Sequence, residues 1–132
     1  GRTFIKPTQK ERESAVHLKL SVLSSVVKGK RLVLIDVSIV RGTTMASLIR
    51  MLKDAGATEV HVRISSPPFL FPCYYGTDVP SNDQLIASSH TAAEICASIG
   101  ADSLGYMKLE DLKQMTGDLP LCKACFDSHY PV

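Results

Sequence analysis

Long apolar runs are missing from this chain. No segment approaches the ~20 consecutive apolar residues needed to span a bilayer, and no basic stretch leads into a short apolar one as in a secretory signal. A surplus of charge is missing as well: 15 basic against 13 acidic residues leave a net charge of +2, and the basic residues are scattered along the chain. Nucleic acid and membrane are therefore not expected partners. The two commonest phosphate-binding signatures are absent, since no loop ends in G-K-[ST] and none reads G-x-G-x-x-G. His17, His61, His90 and His129 stand isolated, so no matching motif suggests a Ser–His–Asp or Cys–His set. There is no internal repeat and no low-complexity tract. With no secretion signal, the four cysteines read as thiols or metal ligands before disulfides, which points to the cytoplasm. The chain begins at Gly1 rather than Met, as expected of a processed chain or an excised piece.

What is present is 132 residues, 45% hydrophobic and 21% charged, a length and mixture suited to one globular domain or most of one. Leu32–Asp36 is a continuous apolar run closed by an acid, as in a strand covered on both faces. Thr43–Ala55 follows as a helix, with Met45, Leu48, Ile49 and Leu52 making one apolar stripe and Gly56 suited to a left-handed position just past its end. Glu59–Ile64 alternates Val60, Val62 and Ile64 with His61 and Arg63, the period of a strand. A β-α-β order demands parallel strands, so the expected fold is α/β, a short parallel sheet flanked by helices.

Further on, 65–80 carries four prolines and reads as a long ordered loop. Its aromatics Phe69, Phe71, Tyr74 and Tyr75 are expected to pack around Cys73 rather than to stack on bases. Ser81-x-x-Gln84 and Thr91-x-x-Glu94 both have the form of capping boxes. The second predicts a helix with Ala92, Ile95, Cys96 and Ile99 on one face, ending at Gly100; Cys96 there is a small apolar core residue. Ser103–Tyr106 suggests a short strand, and Leu109, Leu112 and Met115 a last helix. Residues 1–13 read as a mobile polar arm and 117–132 as a tail.

The densest chemical signal is Val33–Thr44, V-L-I-D-V-S-I-V-R-G-T-T. A strand ends in Asp36, a loop rich in small hydroxyl residues follows, and a helix then begins. Open α/β sheets bind ligands at the carboxyl ends of their strands. Backbone N–H groups of such a loop, the hydroxyls of Ser38, Thr43 and Thr44, and the helix N-terminus all favour an anion, most often a phosphate. Gly42 lets the backbone come close to that ligand. The bland alternative is any buried strand that turns into a helix.

This stretch resembles the phosphoribosyl-pyrophosphate loop of type I phosphoribosyltransferases. Together with G-R-T-F-I at 1–5, R-I-S-S-P-P at 63–68, P-C-Y-Y-G at 72–76, I-G-A-D-S-L at 99–104 and the closing C-K-A-C-F-D-S-H-Y-P-V, it is similar to the amidophosphoribosyltransferase family. The resemblance runs the length of the chain, whereas the family enzymes are much longer. It implies the C-terminal portion of a phosphoribosyltransferase domain, with 1–13 a remnant of the family's flexible loop and no counterpart of the N-terminal glutaminase domain. The implied activity is synthesis of 5-phosphoribosylamine from phosphoribosyl pyrophosphate and glutamine-derived ammonia in purine biosynthesis, a glycosyl transfer for which these residues alone are expected to be inactive. The alternative is a non-catalytic module that binds phosphoribosyl pyrophosphate, nucleotide or metal.

The resemblance also implies roles. Ser38, Arg41, Gly42, Thr43 and Thr44 would hold the ribose 5-phosphate, Asp36 the ribose hydroxyls and a Mg²⁺, and Arg2 the departing pyrophosphate. Valine at 37 departs from the family's second acid. Valine accepts no hydrogen bond and binds no Mg²⁺, and a lost charged hydrogen bond costs about 1.5–3 kcal/mol, roughly ten- to hundredfold in affinity. Cys73, Cys122 and Cys125 would match three of the four cysteines that hold a [4Fe–4S] cluster in the iron–sulfur bacterial branch. A zinc ion on Cys73, Cys122, Cys125 and either His129 or water is the other metal reading. Purine nucleotides are implied as inhibitors. Because half of the family's sheet has no counterpart, the chain is expected to form a homo-oligomer or to need the missing part.

Overall fold

A computed structural model describes residues 24–131. The polar arm 1–13, Arg2 within it, and His17 lie outside the described residues. A short helix α1 (Ser24–Val27) passes through the turn at Lys28–Lys30 into β1 (Arg31–Asp36). Then come α2 (Thr43–Asp54), β2 (Glu59–Ile64), two single-turn 3₁₀ segments (Asn82–Gln84 and Ile86–Ser88), α3 (Ala92–Ile99), β3 (Ser103–Tyr106), α4 (Asp111–Thr116) and α5 (Ala124–Asp127).

The strands pair in parallel in the order β1-β2-β3. Their register sets Asp36 beside Ile64 and Ile64 beside Tyr106, so the carboxyl ends lie level. Val60, Val62 and Ile64 are buried with Met45, Ile49, Ile95 and Ile99 in one cluster, and Leu32, Leu34, Leu104 and Leu52 pack against it. Alternation in β2 and the apolar faces of α2 and α3 thus meet in a single layer. Burying a side chain such as Ile49 contributes about 1.5–3 kcal/mol. The expected capping box opens α3: Thr91 accepts the Glu94 N–H through its side chain, Glu94 reciprocates to the Thr91 N–H, and left-handed Gly100 ends the helix.

Four expectations need correction. β1 is not covered on both faces, because Val33 and Ile35 are 65% and 73% exposed; an apolar run looks the same in sequence whether its second face is packed or bare. Ser81 caps nothing, since the segment at Asn82–Gln84 is one 3₁₀ turn without a side-chain cap, and Gln84 instead receives Arg41. Ala92, on the expected apolar face of α3, is exposed, as is Met115 of α4. Tyr74 and Tyr75 are exposed as well; only Phe69 of that group joins a core.

On the bare face, polar groups link the three strands. Arg31 Nε donates to Glu59 Oε2 at 2.8 Å. His61 bridges Glu59 and Ser103, with Nε2 and Nδ1 each 2.7 Å from its partner oxygen. These bonds from His61 and Arg31 hold the Glu59 carboxyl below its usual range. Asp102 is likewise held low, first by the Val60 N–H and then by Lys53. Carboxyls with depressed folded pKa values stabilise fully above the ordinary carboxylate range near 4, and that contribution disappears as pH falls through the folded values. The melting temperature is therefore expected to be level from pH 7 to about 5 and to decline below about 4. Asp102→Asn should lower it at neutral pH and flatten the acid decline, as followed by circular dichroism.

Candidate functional site: an anion cradle at the carboxyl end of the sheet

At the carboxyl end of β1 lies a cavity of about 470 Å³, lined by residues 36–45 on one wall and Gly76, Thr77, Asp78 and Val79 on the other. That volume suits a small ligand. The loop residues singled out from sequence, Asp36, Ser38, Arg41, Gly42, Thr43 and Thr44, all line it. Asp36 accepts the Val37 N–H on Oδ1 at 2.7 Å, while its backbone carbonyl accepts the Ser65 N–H at 3.0 Å. Val37 beside it is 71% exposed.

The loop keeps its shape through its apolar residues. Ile39 is buried in the main core. Val40 packs with Val79, Leu85 and Phe69 in a second core, and its carbonyl accepts the Ile86 N–H at 2.9 Å. The second core therefore ties the two cavity walls together. Arg41 donates to the Gln84 side chain, which steadies its guanidinium at the cavity edge.

Gly42 makes the corner. It is left-handed at φ +83°, and an added Cβ would stand 3.3 Å from Ile86 Cδ1 and 3.5 Å from Ile99 Cγ2. No side chain caps α2, and its first turn carries no acid. The N–H groups of a first turn have no intrahelical acceptor, and here Thr43 and Thr44 line the cavity. The N-terminal end of the helix dipole adds partial positive charge. An amide cradle of this kind, with hydroxyls around it, takes an anion.

Of the other wall only Gly76 was singled out in the sequence, as the end of P-C-Y-Y-G; Thr77, Asp78 and Val79 were not. Cys73 stands at the base of this wall, paired with Val79 in an antiparallel bridge. The C-terminal segment braces it from behind. The Cys125 carbonyl accepts the N–H groups of Leu70 and Phe71, Phe126 meets Phe69 edge-on with ring centroids 5.2 Å apart, and the Tyr130 hydroxyl donates to the Pro72 carbonyl at 2.8 Å.

All four cysteines are free thiols. Cys96 is half-buried and donates to the Ala101 carbonyl, in keeping with a structural role. The charges of Cys73 and Cys122 bear on Cys125. The three thiols do not form a grip on a single ion, because no group of three or more His, Cys, Asp or Glu converges on a metal-sized site among the described residues. The zinc arrangement with His129 is therefore not formed. Backbone N–H groups, that of Tyr75 foremost, hold the Cys73 thiol below its usual pKa. Burial pushes Cys125 up to about 11, with the neighbouring thiolates adding to the shift.

Two outcomes follow from this geometry. Gly42→Ala should cost about 1–2 kcal/mol for a side chain in a left-handed conformation, lowering the melting temperature by several degrees, and should distort the cradle; an unchanged thermal transition would contradict the placement. Thiolate is the reactive form, so iodoacetamide at pH 7.5 should label Cys73 well before Cys125, as read by peptide mass spectrometry.

No protein-family model matches the chain. Its curated relatives include the amidophosphoribosyltransferase of Synechocystis sp., 52% identical over 134 residues that span 100% of this chain and 27% of the relative. The amidophosphoribosyltransferase of Methanocaldococcus jannaschii is 53% identical over 99% of this chain and 28% of its own length. Among solved structures, the glutamine phosphoribosylpyrophosphate amidotransferase of B. subtilis, complexed with ADP and GMP, superposes with a TM-score of 0.80 at 51% identity, covering 99% of this chain and 30% of that one. The chain thus has the fold of a type I phosphoribosyltransferase and is similar, from end to end, to a C-terminal region that makes up little more than a quarter of the amidophosphoribosyltransferases it matches.

Proposed function

We propose that these residues form the sugar-phosphate half of an amidophosphoribosyltransferase site, and that the enzyme they belong with makes 5-phosphoribosylamine from phosphoribosyl pyrophosphate and ammonia derived from glutamine. One observation carries the reading: the uncapped start of α2 and the hydroxyl-rich loop 38–44 face one cavity at the carboxyl end of β1. The phosphate sits on the amides of Gly42, Thr43 and Thr44 with the hydroxyls of Ser38, Thr43 and Thr44 around it. Asp36 accepts from the ribose hydroxyls through the oxygen not committed to Val37. Ammonia attacks C1 of the ribose as pyrophosphate leaves, and the contribution of these residues is to hold the sugar in place for that displacement. Purine nucleotides, which share the ribose phosphate, are proposed to compete for the cradle; the B. subtilis relative was solved with ADP and GMP.

Mg²⁺ takes oxygen ligands and is commonly held by one or two carboxylates plus ligand phosphates. The cavity offers the Asp36 carboxylate and a ring of hydroxyls, a donor set that fits. When bound, the ion would neutralise charge on the leaving pyrophosphate. Arg2, outside the described residues, is proposed to serve the same charge. For Cys73, Cys122 and Cys125 we propose three of the four ligands of an iron–sulfur cluster, a reading supported by the sequence resemblance and by thiol chemistry. The proposed location is the cytoplasm, supported by four free thiols; a Glycine max relative is named as chloroplastic. Self-association, or packing against the rest of the enzyme, is proposed for the bare face at Val33 and Ile35.

Valine at position 37 favours one second reading, a module that binds phosphoribosyl pyrophosphate or nucleotide without turnover. Calorimetric titration with phosphoribosyl pyrophosphate and Mg²⁺ is expected to saturate, and Val37→Asp to tighten binding roughly ten- to hundredfold. No saturable binding by either form overturns the sugar-phosphate reading. Product formation from added ammonia separates catalysis from binding alone.

A further inference from the structure

The second wall of the cavity carries a carboxylate that the reading above leaves unused. Residues 73–79 close on themselves: the Cys73 N–H donates to the Val79 carbonyl at 3.0 Å, and the Thr77 N–H donates to the Cys73 sulfur at 3.4 Å. The Val79 N–H donates to the Thr77 carbonyl at 2.8 Å. A bond between residues two apart makes a γ-turn, and Asp78 is its central residue. Val79, 2% exposed, pins one side of this turn into the second core. Asp78 itself stays exposed and lines the same cavity as the amide loop.

An amide cradle and a carboxylate on facing walls make opposite demands on a bare anion. The cradle attracts it and the carboxylate repels it. A ligand satisfies both when it brings a divalent cation with its phosphates, because the carboxylate then meets the cation. On the loop's own side the supply of carboxylate is short: position 37 is valine, and Asp36 has given one oxygen to the Val37 N–H.

We propose that Asp78 is a specificity-determining residue of this site, taking up the divalent cation that accompanies a polyphosphorylated sugar, so that the cavity prefers a cation-bridged phosphate ester to a bare phosphate. This assignment rests on the sugar-phosphate reading of the loop. It places the second acid on the facing wall, at residue 78, rather than next to Asp36.

The test is calorimetry on the full chain with three titrants: phosphoribosyl pyrophosphate with Mg²⁺, the same ligand with EDTA, and inorganic phosphate. Asp78→Asn and Asp78→Ser are expected to lose at least about tenfold of the Mg²⁺-dependent affinity, while inorganic phosphate binds as well as before or better. Asp78→Glu should restore part of the loss. With Mn²⁺ as the probe, electron paramagnetic resonance should show less ion bound by the Asn variant in the presence of ligand. An Mg²⁺ dependence equal to that of the unaltered chain overturns the proposal. So does an equal loss with and without the ion, which marks a merely structural role. If the unaltered chain binds no sugar phosphate, the sugar-phosphate reading falls and takes this one with it; if it binds and the variants match it, this proposal alone falls.

Discussion

For the amides of a loop to face a ligand, the loop must fasten itself from behind. Here the fastening is apolar. Ile39 enters the main core and Val40 the second, and between them and the helix stands Gly42, turned left-handed with Ile86 and Ile99 pressed close where a side chain would be. That corner redirects the chain from strand to helix within a few residues. Because no side chain caps the helix and no acid occupies its first turn, the free N–H groups and the dipole are directed to the cavity instead of being quenched locally. Chemistry at this site is therefore a by-product of packing: loosen the isoleucines around Gly42 and the cradle has no fixed shape.

The second wall obeys the same logic at longer range. Val79 shares a small core with Val40 and Leu85, so both walls lean on one cluster. Behind it, Phe126 on Phe69 and the Tyr130 hydroxyl on the Pro72 carbonyl hold the proline-rich loop in place. Residues separated by more than fifty positions in sequence thus determine the width of one cavity. Cys73 and Cys125 lie in this bracing rather than in the cradle, which separates their thiol chemistry from the anion site while leaving the two mechanically joined through Cys73 and its bridge to Val79.

Much of this was legible in the residue order. β2 appears with the bounds that alternation gave it and β3 with those expected for a short strand, α2 ends one residue early, and α3 begins with the reciprocal cap written in Thr91 and Glu94. The cradle was legible because its residues are contiguous: strand, loop and helix start lie within a dozen positions. Its facing wall was not, since Gly76–Val79 meets the loop only through tertiary packing and carries no periodicity. Ser81 and Gln84 have the spacing of a cap, but the glutamine is taken by Arg41, so a long-range hydrogen bond overrides a local motif. For β1, hydrophobicity alone does not report whether a second layer is there to receive Val33 and Ile35.

That two-sided character of β1 has a consequence for how the polypeptide behaves before and after it folds. The strand is made ahead of α2 and β2, and one of its sides is sheltered once they arrive, while Val33, Ile35 and Val37 remain wet. Among the described residues β1 is an outer strand of the sheet, and an outer strand's free backbone edge beside such an apolar face is a template on which the same strand of a neighbouring molecule can align. Clarity of a concentrated preparation would accordingly be governed by molecular crowding at this strip, and a single lysine in place of Val33 would act as a gatekeeper without touching the ligand cavity.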